Sequence, residues 1–175
     1  MKIIGIDANT KSIAYAVIED NKLIDYGQTD FQGERSPDQI KSAYDIASGL
    51  YEEHKPDRIW IERAIFVQNN AAVIKLAYCF GAIIAAANTR IDGVVPTQWQ
   101  SYIGNKQLNN VQKARITEAN PGKSKTWYAS KFRLARKDYT RQWVNTAYGV
   151  LLTSDDISDA VGIAHYGVNH EAISE

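Results

Sequence analysis

Two short apolar runs in this sequence each end in a carboxylate. Asp7 follows Ile3, Ile4, Gly5 and Ile6, and Glu62 follows Arg58, Ile59, Trp60 and Ile61. A charge at the end of a buried strand is costly unless something compensates it. A third acidic group lies in Ser154-Asp155-Asp156-Ile157-Ser158-Asp159-Ala160. Asp156 and Asp159 are three apart and would share a helix face, where like charges repel unless a cation sits between them. Asp7, Glu62, Asp156 and Asp159 are therefore the candidate catalytic and metal-holding residues. Hard oxygen donors from separate elements suit Mg²⁺, with Mn²⁺ as a substitute, and such ions also bind substrate phosphate. Two of them would activate a water on one side of a phosphodiester and stabilise the leaving oxygen on the other.

Each acid also has a plain structural reading. Asp7 could start a turn, Glu62 could pair with Arg63, and the acids after Ser154 could answer a helix dipole. Asp155 and Asp159, four apart, are the competing pair on the last helix. His165, about two turns further on, is a possible proton carrier or a surface residue. No Cys and His cluster suggests zinc, and Cys79 reads as core filler.

The elements that must position these acids are legible in the periodicity. Lys2–Asp7, Ser12–Glu19 and Lys22–Phe31 read as three strands separated by short polar turns, hence an antiparallel meander. Ser36, Pro37 and Gln39 suggest an N-cap, a first-turn proline and a capping box. The helix they open carries Ile40, Ala43, Tyr44, Ala47, Leu50 and Tyr51 on one face. Arg58–Ile61 returns as a parallel strand after that crossover. Asn70–Thr89 reads as a long helix, apolar on nearly all faces and so buried, partly against a second subunit. A strand at Gly93–Pro96 and a short helix from a Thr97–Gln100 capping box come next. A helix before Asn120, a mobile loop after Gly122, and a last helix from Asp155 to about Tyr166 capped by Ser154 complete the chain. The expected fold class is α/β, a mixed five-stranded sheet with helices on both faces, in a single domain over residues 1–175.

The formal charge is zero, yet the charges are segregated. Between Lys106 and Arg141 stand ten basic residues against Glu118 and Asp138, a net +8, and the remainder of the chain is net −8. This basic insertion, about residues 106–141, offers Lys106, Lys113, Lys123, Lys125, Lys131, Arg133, Arg136 and Lys137 as candidate DNA-binding residues. Trp127 and Tyr128 inside it could stack on unpaired bases or pack on the domain. The longest apolar run, Leu76–Ala87, falls short of the roughly 18 residues of a membrane span. No signal peptide is read at the start, and a soluble cytoplasmic protein without disulfides is expected.

In these places the sequence resembles the RuvC family of Holliday-junction resolvases, within the RNase H-like superfamily, over most of its length. Ile4–Asp7 resembles the family's first strand with its catalytic aspartate, Ile59–Glu62 its strand ending in the catalytic glutamate, and Asp156–Ala164 its aspartate-bearing final helix. The resemblance implies an RNase H-like nuclease fold and a Mg²⁺-dependent endodeoxyribonuclease. It further implies a homodimer that makes paired nicks across a four-way DNA junction, leaving 5′-phosphate and 3′-hydroxyl ends. Phe66 is the candidate for the family's junction-opening aromatic residue. Where members commonly have proline and glycine after the first aspartate, this chain has Ala8 and Asn9, so that turn is built differently. Ile4–Ser12 also resembles the phosphate loop of sugar kinases and actin-like ATPases, but Asn9 replaces the needed glycine. Two other readings stay open: a nuclease acting on RNA/DNA hybrids or other branched DNA, and a non-catalytic junction-binding module.

Overall fold

The computed structural model describes residues 1–63 and 70–171. Three consecutive strands, β1 (Lys2–Ala8), β2 (Ser12–Glu19) and β3 (Lys22–Asp30), form the meander. Helix α1 (Ser36–His54) crosses over to β4 (Arg58–Glu62), and α2 (Asn70–Ala86) leads to β5 (Arg90–Val94). The sheet order is β3-β2-β1-β4-β5, with β1 antiparallel to β2 and parallel to β4. The chain closes with α3 (Pro96–Tyr102), α4 (Asn110–Glu118), α5 (Lys125–Tyr148) and α6 (Asp155–Glu171). This is the mixed five-stranded sheet the periodicity predicts.

Strand alternation sorts the core into two layers. Ile4, Ile6, Ile59 and Ile61 face one way and pack with Ala43, Ala47 and Leu50 of α1 and with Cys79 and Ile83 of α2. Ile3 and Trp60 face the other way, against Ala160, Val161, Ile163, Ala164 and Val168 of α6, with Val144 of α5 and Trp99 of α3 in the same layer. Gly5 shares this second face. A Cβ there would run into the Ala160 carbonyl and the Ala164 amide, so only glycine lets α6 approach β1 so closely.

Several details differ from expectation. Arg35, not Ser36, is the N-cap of α1, and Ser36 is its first residue. Gln39 reaches back to the Gly33 carbonyl at 2.9 Å instead of closing a capping box. The fifth strand starts three residues early, at Arg90, because Thr89 ties the preceding turn to the Asp57 carbonyl at 2.9 Å. Gln98, not Gln100, caps α3, accepting from the Val95 amide at 3.2 Å. The residues after Gly122 are not a loop. Ser124 caps α5 by accepting from the Trp127 amide, and a 24-residue helix follows. Its weak amphipathicity hid it, since only Thr140 and Val144 of its length are buried. Likewise α2 is not buried on all sides: Cys79 and Ile83 are covered, whereas Ile74 and Tyr78 are more than half exposed and Ile84 nearly so. Among the described residues, no helix is long and apolar enough to cross a membrane.

Candidate active site

The strand register brings the first two acids together. Ile6 of β1 lies beside Ile61 of β4, so Asp7 and Glu62 are the next pair along, on the face that α6 covers. On α6, Asp156 and Asp159 lie one turn apart, next to the buried Ala160 that faces β1. Ser154 starts this helix, accepting from the Ile157 amide at 3.3 Å. Gly5 sets the distance between strand and helix, so the small residue in β1 controls how near Asp159 comes to Asp7.

The turn after Asp7 uses the Asn9 side chain. Its Oδ1 accepts from the amides of Lys11 at 2.7 Å and Ser12 at 2.9 Å, and its Nδ2 donates to Ser12 Oγ at 2.9 Å. Asn9 does not take a left-handed φ. It replaces a special backbone conformation with an Asx turn.

The four acids share one electrostatic environment. Burial pushes the Asp7 carboxyl well above its usual range, and the charges of Glu62, Asp159 and Asp156 push it further. Asp159 is raised to about 7, first by burial, with Glu62, Asp156 and Asp155 adding repulsion and Lys137 opposing it. Glu62 is raised by burial, against the pull of a hydrogen bond from Trp99 and the charge of Lys137. Lys137 is the cation that recurs at every acid. Burial disfavours its charge, but Asp159, Asp156 and Asp155 outweigh that and hold it above its ordinary value.

Asp155 is tied to α5. It accepts from Arg141 at 2.9 Å and lies 3.6 Å from Lys137, which bind α6 to α5. Asp156 lies 3.5 Å from Lys137 and is the one of the two that acts on Asp7. Both act on Asp159, and Asp156 also acts on Asp7.

The carboxylates stand open instead of closing on one another. Among the described residues, the set of His, Cys, Asp or Glu ligand atoms within 4.8 Å of each other is Asp25, Glu53 and His54, on the opposite face of the sheet. These half-buried acids nevertheless have the chemistry of a hard-cation site: all-oxygen donors from three elements, with Asp7, Glu62 and Asp159 held at raised pKa values. His165 does not join them. Its Nδ1 lies 2.7 Å from the Tyr148 hydroxyl, its ring packs on Trp143 and Tyr102, and burial lowers its pKa. The reading of His165 as a proton carrier is therefore replaced by a packing role.

The basic segment contains α4, the turn at residues 119–124 and most of α5. Lys106, Lys123, Lys125, Lys131 and Arg133 are exposed, and Lys113 is half-buried with its ammonium over the Phe132 ring. The Lys123 and Lys131 ammonium groups lie 5.9 and 5.2 Å from the Trp127 ring centre. Tyr128 donates to the Asn120 carbonyl, which fixes the turn. Arg136 is turned inward onto Gln100 Oε1 and the Asn105 carbonyl. Phe66 lies outside the described residues.

A family model for crossover junction endodeoxyribonuclease RuvC matches residues 3–114. The chain belongs to the RuvC family. Among curated members of that family, the protein of Aliarcobacter butzleri is 37% identical over 87 residues, which is 47% of this chain and 56% of the relative. That of Brachyspira hyodysenteriae is 28% identical over 169 residues, covering 94% of this chain and 91% of the relative. The chain thus spans little more than half the length of the first relatives it matches. In fold it resembles Thermus thermophilus RuvC in complex with a Holliday junction substrate, with a TM-score of 0.74, 14% identity and coverage of 99% and 96% of the two chains. A yeast mitochondrial Holliday junction resolvase matches with a TM-score of 0.55 at 17% identity. The RuvC fold assignment therefore extends over α5 and α6, beyond the segment that carries the family match.

Two residues of this RuvC-family site escape sequence reasoning. Trp99, fully buried, donates from Nε1 to Glu62 Oε2 at 2.7 Å. Gly162 makes room for it, because a Cβ there would lie 2.6 Å from the indole ring. The apolar context of Trp99 reads as core, and nothing in its local sequence points to Glu62. The second is Lys137, which reads as one more cation of the basic run but sits over the acids.

Proposed function

We propose that this chain is a metal-dependent endodeoxyribonuclease that resolves four-way DNA junctions by paired nicks, acting as a homodimer in the cytoplasm. The observation that carries this reading is the convergence of Asp7, Glu62, Asp156 and Asp159 on one face of the sheet, in a chain of the RuvC family. Asp7, Glu62, Asp156 and Asp159 would hold Mg²⁺ or Mn²⁺. Such an ion, when bound, supplies water activation and charge neutralisation at a phosphodiester.

The protein's own groups do the rest. Trp99 keeps the Glu62 carboxylate oriented, and Lys137 moderates the acid cluster from the α5 side. Burial and mutual repulsion favour the protonated forms of Asp7 and Asp159, whose protons would leave as a cation arrives, so metal loading is coupled to proton release. The exposed lysines of α5 and of the turn before it would follow a phosphate backbone, with Trp127 among them.

Dimer formation is supported by the exposed apolar side of α2, where Ile74, Tyr78 and Ile84 face outward. A symmetric junction also needs two active sites, and one domain supplies one. Sedimentation should give a dimer at micromolar concentration, and a strict monomer with and without junction would remove the paired-nick mechanism.

The deciding experiment compares a four-way junction, a flap, a plain duplex and an RNA/DNA hybrid with and without Mg²⁺. Metal-dependent, symmetric cleavage of the four-way junction is expected. Preferential cutting of the hybrid would make this a ribonuclease H, and junction binding without cutting under any metal would make it a binding module.

A further inference from the structure

Away from the acidic centre, on the other face of the sheet, three potential ligands meet: Asp25 of β3 and Glu53 and His54 at the end of α1. One donor atom from each lies within 4.8 Å of the others. We propose that they form a second cation site, selective for a first-row divalent transition ion such as Zn²⁺ over Mg²⁺.

His54 is the observation that separates this group from an ordinary surface cluster. Its side chain is nine-tenths buried, and its Nε2 is sealed from solvent and makes no hydrogen bond. That nitrogen lies 3.1 Å from Asp25 Oδ2, inside ion-pair distance, but the geometry is wrong for an N–H aimed at the oxygen. A buried polar nitrogen without a hydrogen bond is costly. A coordinate bond from its lone pair satisfies it.

The backbone supports the same arrangement. The β2–β3 pairing shifts register between Val17 and Ile18, next to the Val17–Asp25 pair, and such an irregularity re-aims a side chain. As the direct cross-strand partner of Val17, Asp25 shares its face, which packs under α1. Lys55 then ends α1 in a left-handed conformation, leaving Glu53 and His54 at the helix terminus beside β3. Tyr15 donates to Asp25 Oδ2 at 3.1 Å and orients that carboxylate from behind.

The donor set decides the ion. One imidazole nitrogen with two carboxylates suits Zn²⁺ and its neighbours, whereas Mg²⁺ takes oxygen donors and retains its waters. Tetrahedral zinc places its donor atoms about 3.3 Å apart, so the three side chains need to close only slightly on the ion. Glu53, which is exposed, supplies that freedom. Three protein ligands leave a fourth position for water. Such an ion would pin the edge strand β3 to the end of α1, making the site a brace and not a second hydrolytic centre.

The test uses the full chain carrying Asp7→Asn and Asp159→Asn, stripped with chelator and titrated calorimetrically with Zn²⁺ in excess Mg²⁺. One Zn²⁺ per chain is expected, with a rise in Tm that Mg²⁺ alone does not give. Glu53→Gln, at an exposed position that leaves the fold intact, should weaken zinc binding at least tenfold. His54→Gln should abolish both the binding and the Tm rise. Zinc binding of unchanged strength in Glu53→Gln and His54→Gln, or no zinc binding by the parent chain, would overturn the proposal. Junction cleavage by the otherwise wild-type chain does not enter the readout, so the outcome is independent of the nuclease reading.

Discussion

The indole of Trp99 donates a 2.7 Å hydrogen bond to Glu62 Oε2 from a fully buried position on α3, joining the helix after β5 to the acid at the end of β4. The bond favours the ionised carboxylate, against the burial that raises its pKa. Trp99→Phe keeps most of the packing and deletes the donor. The Glu62 pKa should then rise, moving the acid limb of the pH–rate profile to higher pH and raising the Mg²⁺ concentration for half-maximal cleavage by about 10- to 100-fold. A purely structural role would lower Tm and leave both the acid limb and the metal requirement where they are.

Asp155 and Asp156 are neighbours in sequence with different surroundings. Asp7→Asn, Glu62→Gln, Asp156→Asn and Asp159→Asn should each reduce cleavage to background while junction binding and far-UV circular dichroism stay close to wild type. Asp155→Asn loses the contacts to Arg141 and Lys137, costing about 1 kcal/mol of stability, and should still cut. An active Asp156→Asn beside a dead Asp155→Asn would reverse the assignment.

The raised carboxylates make the metal-free protein sensitive to pH. Asp159 titrates near 7 when folded and near 3.8 when unfolded. Between those values the folded state binds more protons than the unfolded state, so stability falls as pH rises. Urea midpoints of the metal-free chain should therefore drop from pH 4 to pH 7 more steeply for wild type than for Asp159→Asn. Saturating Mg²⁺ should flatten the wild-type curve, because the ion takes over from the proton. Parallel curves for the two proteins would mean that Asp159 carries no such shift.

Phosphate binding is expected from the exposed cations around α5. Replacing Lys123, Lys125, Lys131 and Arg133 with alanine should weaken junction binding and flatten the dependence of log affinity on log salt by about one unit per lost contact. Cleavage at saturating DNA should change much less. Lys137 is left in place, since it faces Asp155 and Asp156. An unchanged salt slope would make the basic run a solvated face and put the DNA path elsewhere.

Much of the sheet and the identity of the acids are readable from local sequence because both rest on short-range physics. Short apolar runs rich in Ile and Val at Lys2–Asp7, Ser12–Glu19 and Arg58–Ile61, bounded by polar turns, mark the strands. A carboxylate after an apolar strand stands out as an unpaid desolvation cost, so Asp7 and Glu62 are visible as candidates one at a time. Helix α5 was not visible, since its polar residues surround it and only Thr140 and Val144 are buried. The overestimated burial of α2 has the converse cause: hydrophobicity identifies an apolar face but does not say whether this chain covers it.

Pairings at long range were decided by the tertiary structure alone. The Ile6–Ile61 register puts Asp7 beside Glu62, and Gly5 admits α6 so that Asp159 meets them. Arg141 ties Asp155 to α5, and Trp99 reaches Glu62 across 37 positions of sequence. Hydrophobic periodicity reports which residues need burial. Which partners they find depends on how layers of sheet and helix pack, and that is set by contacts between elements distant in the chain.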